Sequence, residues 1–560
     1  MTRPGIELFK KPIHRTRVRM TATRLRDLAD TVVKIAAVLV SATLFTLSFP
    51  PYELRWLAWF ALVPFFVPVR RSSVRQALGL AALWGMAAAY GITAWLPPTI
   101  AYYYQQPLWL GMTIFLAAAA LMGAGDYMVF AAFYRWYCAR TTRLQRRGST
   151  VFPAAAAWVT AELARARLFT GNPWGLLGYT QVGLATTAPS RLWGAERLIA
   201  GLPQIADLAG VYGISFVVVS VNLAITEALL AVHARAGYRR IGTDLLLSLG
   251  LLAAAATYGE MRVPVVARTE GTTVRVSVIQ ANLDLGSRWD PRFYGRNLRT
   301  YLELTDRTLA MAEPRLVFWP ENAMTFFVDD EPAYRRSIAA VLAPADAQLV
   351  AGAPRFIHRH APAYYNSAFL LSPQGQVVDH YDKMHLLPFS EYLPFARFDY
   401  IRRSFGRVRS FEAGTTPRLL PTRAGKAGVL ICNEAMFPRL ASRRTAEGAQ
   451  LLVNLSNDAW IRDAGFAQQQ FSVVSLRAIE QRRYLVRAST SGPSGIVAPS
   501  GRVLAKTKPF SRTTASADVV PMTLRTVYSR MGDAFAVGCA AWAAAALLYG
   551  LWLSRRGRAR

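Results

Sequence analysis

A thiol, an amine and a carboxylate stand in one polar stretch of this chain. Cys432 lies in Gly428-Val-Leu-Ile-Cys-Asn-Glu-Ala435, Lys383 in Tyr381-Asp-Lys-Met-His-Leu-Leu-Pro388, and Glu321 ends Leu316-Val-Phe-Trp-Pro-Glu321. These three residue types can carry out acyl transfer. A thiolate is the nucleophile, a neighbouring ammonium lowers the thiol pKa, and a carboxylate takes the proton. Donors must also hold the oxyanion that forms. His385 is a rival base, but no Asn or Asp around it is identifiable as its orienter. His358 and His380 lie without metal-ligand spacing, so no metal is expected. Taken alone, Cys432 reads equally well as a small buried hydrophobe after Val-Leu-Ile. Asn433 and Glu434 beside it argue against a wholly apolar burial.

Each of the three residues follows an expected strand. From about residue 272 the chain breaks into short apolar runs: 274–280, 316–319, 348–351, 368–371, 429–432, 451–455, 485–488 and 495–498. Helical patterns fill 294–312 and 468–482, and hairpin turns are expected at Ser372-Pro-Gln-Gly375 and Pro499-Ser-Gly501. Strands alternating with helices predict an α/β domain, whose strand ends face an open crevice. Glu321, Cys432 and the segment from Asn454 to Asp458 all fall at such ends.

The remainder of the 560 residues is too apolar for an ordinary soluble enzyme, the whole chain being 53% hydrophobic. A membrane helix needs roughly 20 apolar residues, and about eight stretches qualify, near 33–49, 54–69, 76–98, 108–134, 151–169, 205–232, 241–259 and 533–553. The net charge of +31 is gathered at alternate ends of these stretches, in Lys10 to Arg26, Arg70 to Arg75, Arg135 to Arg147, Arg235 to Arg240 and Arg555 to Arg560. That alternation follows the positive-inside rule and calls for no nucleic-acid partner. It predicts a multi-pass membrane protein with both termini cytoplasmic and residues 260–530 on the far side of the membrane. The expected division is a basic leader at 1–32, a membrane domain of about 7 helices at 33–259, the catalytic domain at 260–530, and a last helix with a basic tail at 531–560. Cys138, Cys432 and Cys539 are the only three cysteines and lie in different compartments, so no disulfide forms and Cys432 is a free thiol.

Trp319-Pro-Glu-Asn322, the run Tyr381 to Pro394, Ile431-Cys-Asn-Glu434 and Asn454-Leu-Ser-Asn-Asp-Ala-Trp460 resemble the nitrilase superfamily, whose site is Glu-Lys-Cys in that chain order. With Phe169 to Gln181 and Ala209 to Phe216 added, the whole chain resembles the apolipoprotein N-acyltransferase family. The resemblance implies a polytopic α-helical membrane domain joined to an α/β nitrilase-like domain, an αββα sandwich. It implies that Cys432 attacks a phospholipid ester, that Glu321 accepts its proton, and that Lys383 and the backbone N–H of Asn433 stabilise the oxyanion. Glu391 would orient Lys383, with Glu434 supporting. The thioester would pass its acyl chain to the α-amine of a diacylated apolipoprotein, without a cofactor. Trp174, Tyr179 and Trp460 are the expected substrate-side residues, Trp174 and Tyr179 as rings at the membrane interface. A monomer is expected.

The chain departs from the family pattern at Asn433, where Tyr is expected, at Ser390 in Phe-Ser-Glu, at Ile461, and at Thr490-Ser-Gly492. These leave the Glu-Lys-Cys chemistry intact and bear on donor and acceptor preference. A membrane-tethered nitrilase-like amidase, passing the acyl group to water, uses the same three residues. A scaffold that only binds lipoproteins would not need them.

Overall fold

The computed structural model describes residues 13–143, 149–187, 191, 194–234, 238–267, 271–283, 291–358, 363–394 and 411–556. Two sheets form the polar half. The first runs in the order β13 (Thr513–Val519), β1 (Val274–Gln280), β2 (Leu316–Phe318), β3 (Gln348–Phe356), β4 (Tyr364–Leu371) and β5 (Val377–Asp382), with β6 (Phe411–Glu412) also paired to β4. The second runs β12 (Val503–Lys506), β11 (Gly495–Val497), β10 (Leu485–Ser489), β9 (Leu451–Ser456), β8 (Gly425–Ile431) and β7 (Leu420–Thr422). β2 lies parallel between β1 and β3, and β9 parallel between β8 and β10, whereas β5 runs antiparallel to β4.

Strand alternation sorts the side chains between layers. Val429 and Ile431, Val453 and Leu455 meet Val276, Val278 and Phe318 of the first sheet in the core between the sheets. The outer face of the first sheet packs on helices Pro291–Ala312 and Pro332–Leu342 through Leu298, Tyr301, Ile338 and Leu342. The outer face of the second sheet, with Leu430, Leu452 and Leu485, packs on helices Pro438–Ala446 and Ala464–Gln481. The result is the four-layer αββα sandwich. Strands covered on both faces read as continuous apolar runs, which is why Val-Leu-Ile precedes Cys432 without alternation.

Leu430, Leu452 and helix Ala464–Gln481 belong to the same buried cluster as Val38, Phe66, Trp84 and Trp158 of the apolar helical half. Among the described residues, five helical stretches there are long and apolar enough to cross a membrane, Arg24–Leu47, Leu108–Arg140, Glu196–His233, Gly242–Val266 and Ala534–Trp552. A sixth arises if Val74–Thr93 and Leu96–Tyr104, bent by 59°, count as one. The two other stretches read from hydropathy have a different build. The 54–69 stretch is a short 3-10 turn, Arg55–Trp59, followed by the nine-residue helix Val63–Arg71 with Pro68 inside. The 151–169 stretch is Val151–Arg167, a 17-residue helix buried on nearly every face, the pattern of a helix inside a bundle. Small residues let the helices approach: a Cβ on Gly85 would lie 2.9 Å from the Ala124 Cα. Helix Tyr238–Ala267 leads from this half toward β1, and Ala534–Arg556 returns to it.

Candidate active site

Glu321, Lys383 and Cys432 converge at the ends of β2, β5 and β8. The chain turns sharply after two of these strands. Asn322 and Cys432 both adopt left-handed backbone, with φ of 56° and 51°, a conformation that non-glycine residues hold only where surrounding contacts enforce it. β3 passes close under Glu321, because Gly352 carries no side chain; a Cβ there would lie 2.6 Å from the Glu321 Cα.

Lys383 is buried, with Nζ 2.8 Å from Glu391 Oε2 and 3.8 Å from Glu321 Oε1. Asn366 on β4 bridges the two carboxylates, donating through Nδ2 to Glu321 Oε1 and to Glu391 Oε1, each at 2.7 Å. The Asn457 N–H donates to Glu321 Oε2 at 2.9 Å and the Leu387 N–H to Glu391 Oε2 at 2.8 Å. Burial opposes the charge on Lys383, but the fields of Glu391 and Glu321 outweigh it and hold the ammonium above its ordinary value. Burial pushes the Glu321 carboxyl up, against Lys383 and its two amide donors. The Cys432 thiol is also pushed up, first by burial and then by the Glu321 charge, with Lys383 acting in the opposite sense.

Glu434 is wholly buried and ties the nucleophile turn to the lysine loop. It accepts from the Ile431 N–H at 2.8 Å, the Met384 and His385 N–H groups at 2.9 and 3.0 Å, and the Tyr381 hydroxyl at 2.9 Å. Arg444 closes this clip, donating to the Tyr381 hydroxyl and to the Val429 carbonyl. Asn433 is the residue after the nucleophile in the 3-10 turn Cys432–Met436. His385 packs edge-on to Phe437 at 4.4 Å, and burial lowers its pKa to about 4; a base that weak is poorly matched to a thiol.

Two of the three expected substrate-side aromatics share one cluster, and the third lies elsewhere. Trp174 and Trp460 are half-buried and pack on the cluster of Ile461, Phe466 and Ala467, Trp174 at 5.5 Å from Phe466. Trp460 meets Tyr103 edge-on at 5.6 Å. Tyr179 is not an interfacial ring. It is 2% exposed, and its hydroxyl accepts from Arg477 Nη2 at 3.1 Å, which pins helix Ala464–Gln481 to the apolar half. Trp174 and Tyr179 also border a small cleft with Phe49, Ile92, Gln469 and Val473. Asn366, the Asn457 amide and the clip on Glu434 were not apparent from the motifs. A single Asn inside the aromatic strand Tyr364-Tyr-Asn-Ser-Ala-Phe369 was the available signal, because Asn is depleted in strands unless its amide has work to do.

Residues 275–528 match the carbon-nitrogen hydrolase family model, the class to which the sandwich belongs. Residues 41–224 match the apolipoprotein N-acyltransferase N-terminal domain. The apolipoprotein N-acyltransferase of Geobacter metallireducens is 33% identical over 514 residues, covering 90% of this chain and 93% of that one. Those of Pseudomonas syringae pv. tomato and Chromobacterium violaceum are 28% and 29% identical, covering 88% and 94% of this chain and 91% and 95% of theirs. The chain belongs to the apolipoprotein N-acyltransferase family.

Proposed function

We propose that this protein is the acyltransferase of lipoprotein maturation, moving a fatty acyl chain from a phospholipid through a thioester on Cys432 to the α-amine of a diacylated apolipoprotein. The observation that carries this reading is the buried Lys383 ammonium, flanked by Glu321 and Glu391, beside a free thiol at the edge of the core between the two sheets. Glu321 takes the proton of Cys432 as sulfur adds to the ester carbonyl and the carbonyl electron pair moves to oxygen. Lys383 and the Asn433 N–H stabilise that oxygen. Collapse expels the lysophospholipid alkoxide, which receives the proton from Glu321. The lipoprotein amine then attacks the thioester, Glu321 accepts the ammonium proton, and sulfur leaves as thiol.

The basic clusters support eight crossings with cytoplasmic termini, the short helices Val63–Arg71 and Val151–Arg167 each serving in one of them. Residues 260–530 are then periplasmic, where lipoprotein amines arrive. Trp174 and Trp460, gathered at the junction of the two halves, flank the lipid approach, and one copy of the chain contains the whole site.

Intact-protein mass spectrometry of purified protein in phospholipid-containing detergent tests this. A mass increase of one acyl chain, removed by hydroxylamine and absent in Cys432→Ala, is expected; added diacylated lipopeptide should discharge it into an amide. Release of free fatty acid in place of the amide would favour an amidase-type hydrolase and sink the acyltransfer step. The rate of thioester formation should also fall on acidification, because Glu321 is a base only when ionised and burial raises its pKa. An acid limb centred at the ordinary glutamate value would show that another group takes the proton.

A further inference from the structure

Behind the nucleophile turn lies a buried polar row that the proposed reaction leaves unused. Across three neighbouring strands, Leu430, Asn454 and Arg487 share one register. Alternation turns Asn454 away from the core between the sheets, since Val453 and Leu455 occupy that core. Arg487 is 0% exposed. Its Nη1 donates to Asn454 Oδ1, its Nη2 to Asp458 Oδ2 at 2.8 Å and to Gln470 Oε1 at 2.7 Å, and its Nε to the Pro493 carbonyl at 3.2 Å. Asp458 supplies the counter-charge and accepts further from Ser489 and Ser456 at 2.8 and 2.7 Å. A Cβ on Gly492 would strike Asp458 Oδ2 at 1.9 Å, so the glycine makes room for this carboxylate. Asn454 Nδ2 donates onward to the carbonyls of Leu430 at 2.8 Å and Cys432 at 3.2 Å.

The sense of donation is the same along the whole row. Arg487 donates to Asn454, and Asn454 donates to the Cys432 carbonyl. In a planar trans peptide the C=O and the following N–H point in opposite directions. Fixing the Cys432 carbonyl therefore aims the Asn433 N–H away from Asn454. Hydrogen bonds running in one sense also polarise one another, and here a guanidinium heads the series. Apolar side chains of similar volume fill buried positions at least as stably as a paired Arg, so packing alone gives no reason for this residue.

We infer that Asn454, backed by Arg487, is a positioning residue that aims and polarises the Cys432–Asn433 peptide so that its N–H meets the oxyanion formed when the thiolate adds to the ester carbonyl. The inference rests on the nucleophile and oxyanion roles proposed above. It concerns neither the thiol nor its base, and that separates its test from theirs.

Two reactions of the same sulfur are compared in the full-length protein. One is acylation by phospholipid, which passes through an oxyanion. The other is alkylation by iodoacetamide, which displaces iodide at saturated carbon and forms none; peptide mapping reads it at Cys432. Asn454→Ala is expected to slow acylation by about a hundredfold while alkylation stays within about threefold of wild type. Equal losses in both reactions would show a general structural role, and unchanged acylation would show none; either result overturns the inference. If Asn454→Ala does not fold, Arg487→Lys, which keeps the charge but not the fork, is expected to give the same split at smaller size, and equal losses there overturn it. A wild-type protein that forms no thioester would fail the underlying reading instead.

Discussion

Lys383→Met is expected to abolish thioester formation and to destabilise the sandwich by about 3–5 kcal/mol, the usual effect of stranding one side of a buried ion pair. Lys383 is 1% exposed and is the cation between Glu321 and Glu391, whose carboxylates are further linked through the single amide of Asn366. Without the ammonium, two buried negative charges face each other across one amide. Such pairs relieve the repulsion by binding a proton, and a protonated Glu321 is no base. The double variant Lys383→Met with Glu391→Gln removes one charge and should recover most of the stability with none of the activity. Unfolding midpoints and acyl-enzyme mass, measured on the same preparations, check both halves of this result. Activity within tenfold of wild type in Lys383→Met would remove the ammonium from the chemistry.

The second large effect is expected far from the thiol. Arg482→Met should cost about 3–5 kcal/mol and decouple the unfolding of the two halves. Arg482 is 0% exposed at the end of helix Ala464–Gln481. It donates to Asp207 Oδ2 at 2.8 and 3.0 Å, to Gln204 Oε1 at 2.6 Å and to the Pro499 carbonyl at 2.9 Å. Asp207 also accepts from Arg262 at 3.0 Å and from Tyr258 at 2.8 Å. One carboxylate thus joins the sandwich to two helices of the apolar half. Limited proteolysis during thermal unfolding should show one transition in wild type and two in the variant. A single transition at the wild-type midpoint would mean that packing alone holds the halves together.

The αββα sandwich, and the meeting of Glu321, Lys383 and Cys432 at its strand ends, were legible because of double burial and position. Strands covered on both faces, such as Val429 to Ile431, carry unbroken apolar runs, and the polar residue that ends such a run stands out. The motif resemblance likewise led to the family. Strands β5, β6, β7, β12 and β13 were not legible, β6, β7 and β12 because they are two to four residues long, and β5 and β13 because Asp379, His380 and Asp382, or Thr513, Thr514, Ser516 and Asp518, break up any apolar run. The helix at 151–167 and the turn and helix at 55–71 looked like ordinary spans, because hydropathy does not separate burial in lipid from burial in protein. Asn366 and Arg487 were hidden for a different reason. The partners of Asn366 come from segments 45 and 25 residues away in the chain, and those of Arg487 from inside β9, the loop after it, helix Ala464–Gln481 and the turn at Pro493. Tyr179 was misread because a tyrosine at a helix connection suits an interface or a core equally, and only its Arg477 partner decides.

Helix Ala464–Gln481 has no free face. One side covers the second sheet, and the other lies against Tyr179, Gln204 and the Ala206–His233 helix. The outer helical layer on this side of the sandwich therefore has no solvent-facing side and shares its core with the apolar half. A fragment cut at the connecting helices would carry an open hydrophobic wall there. Truncating or recombining either half would expose that wall, so a change on one side of the contact must be accommodated by the other.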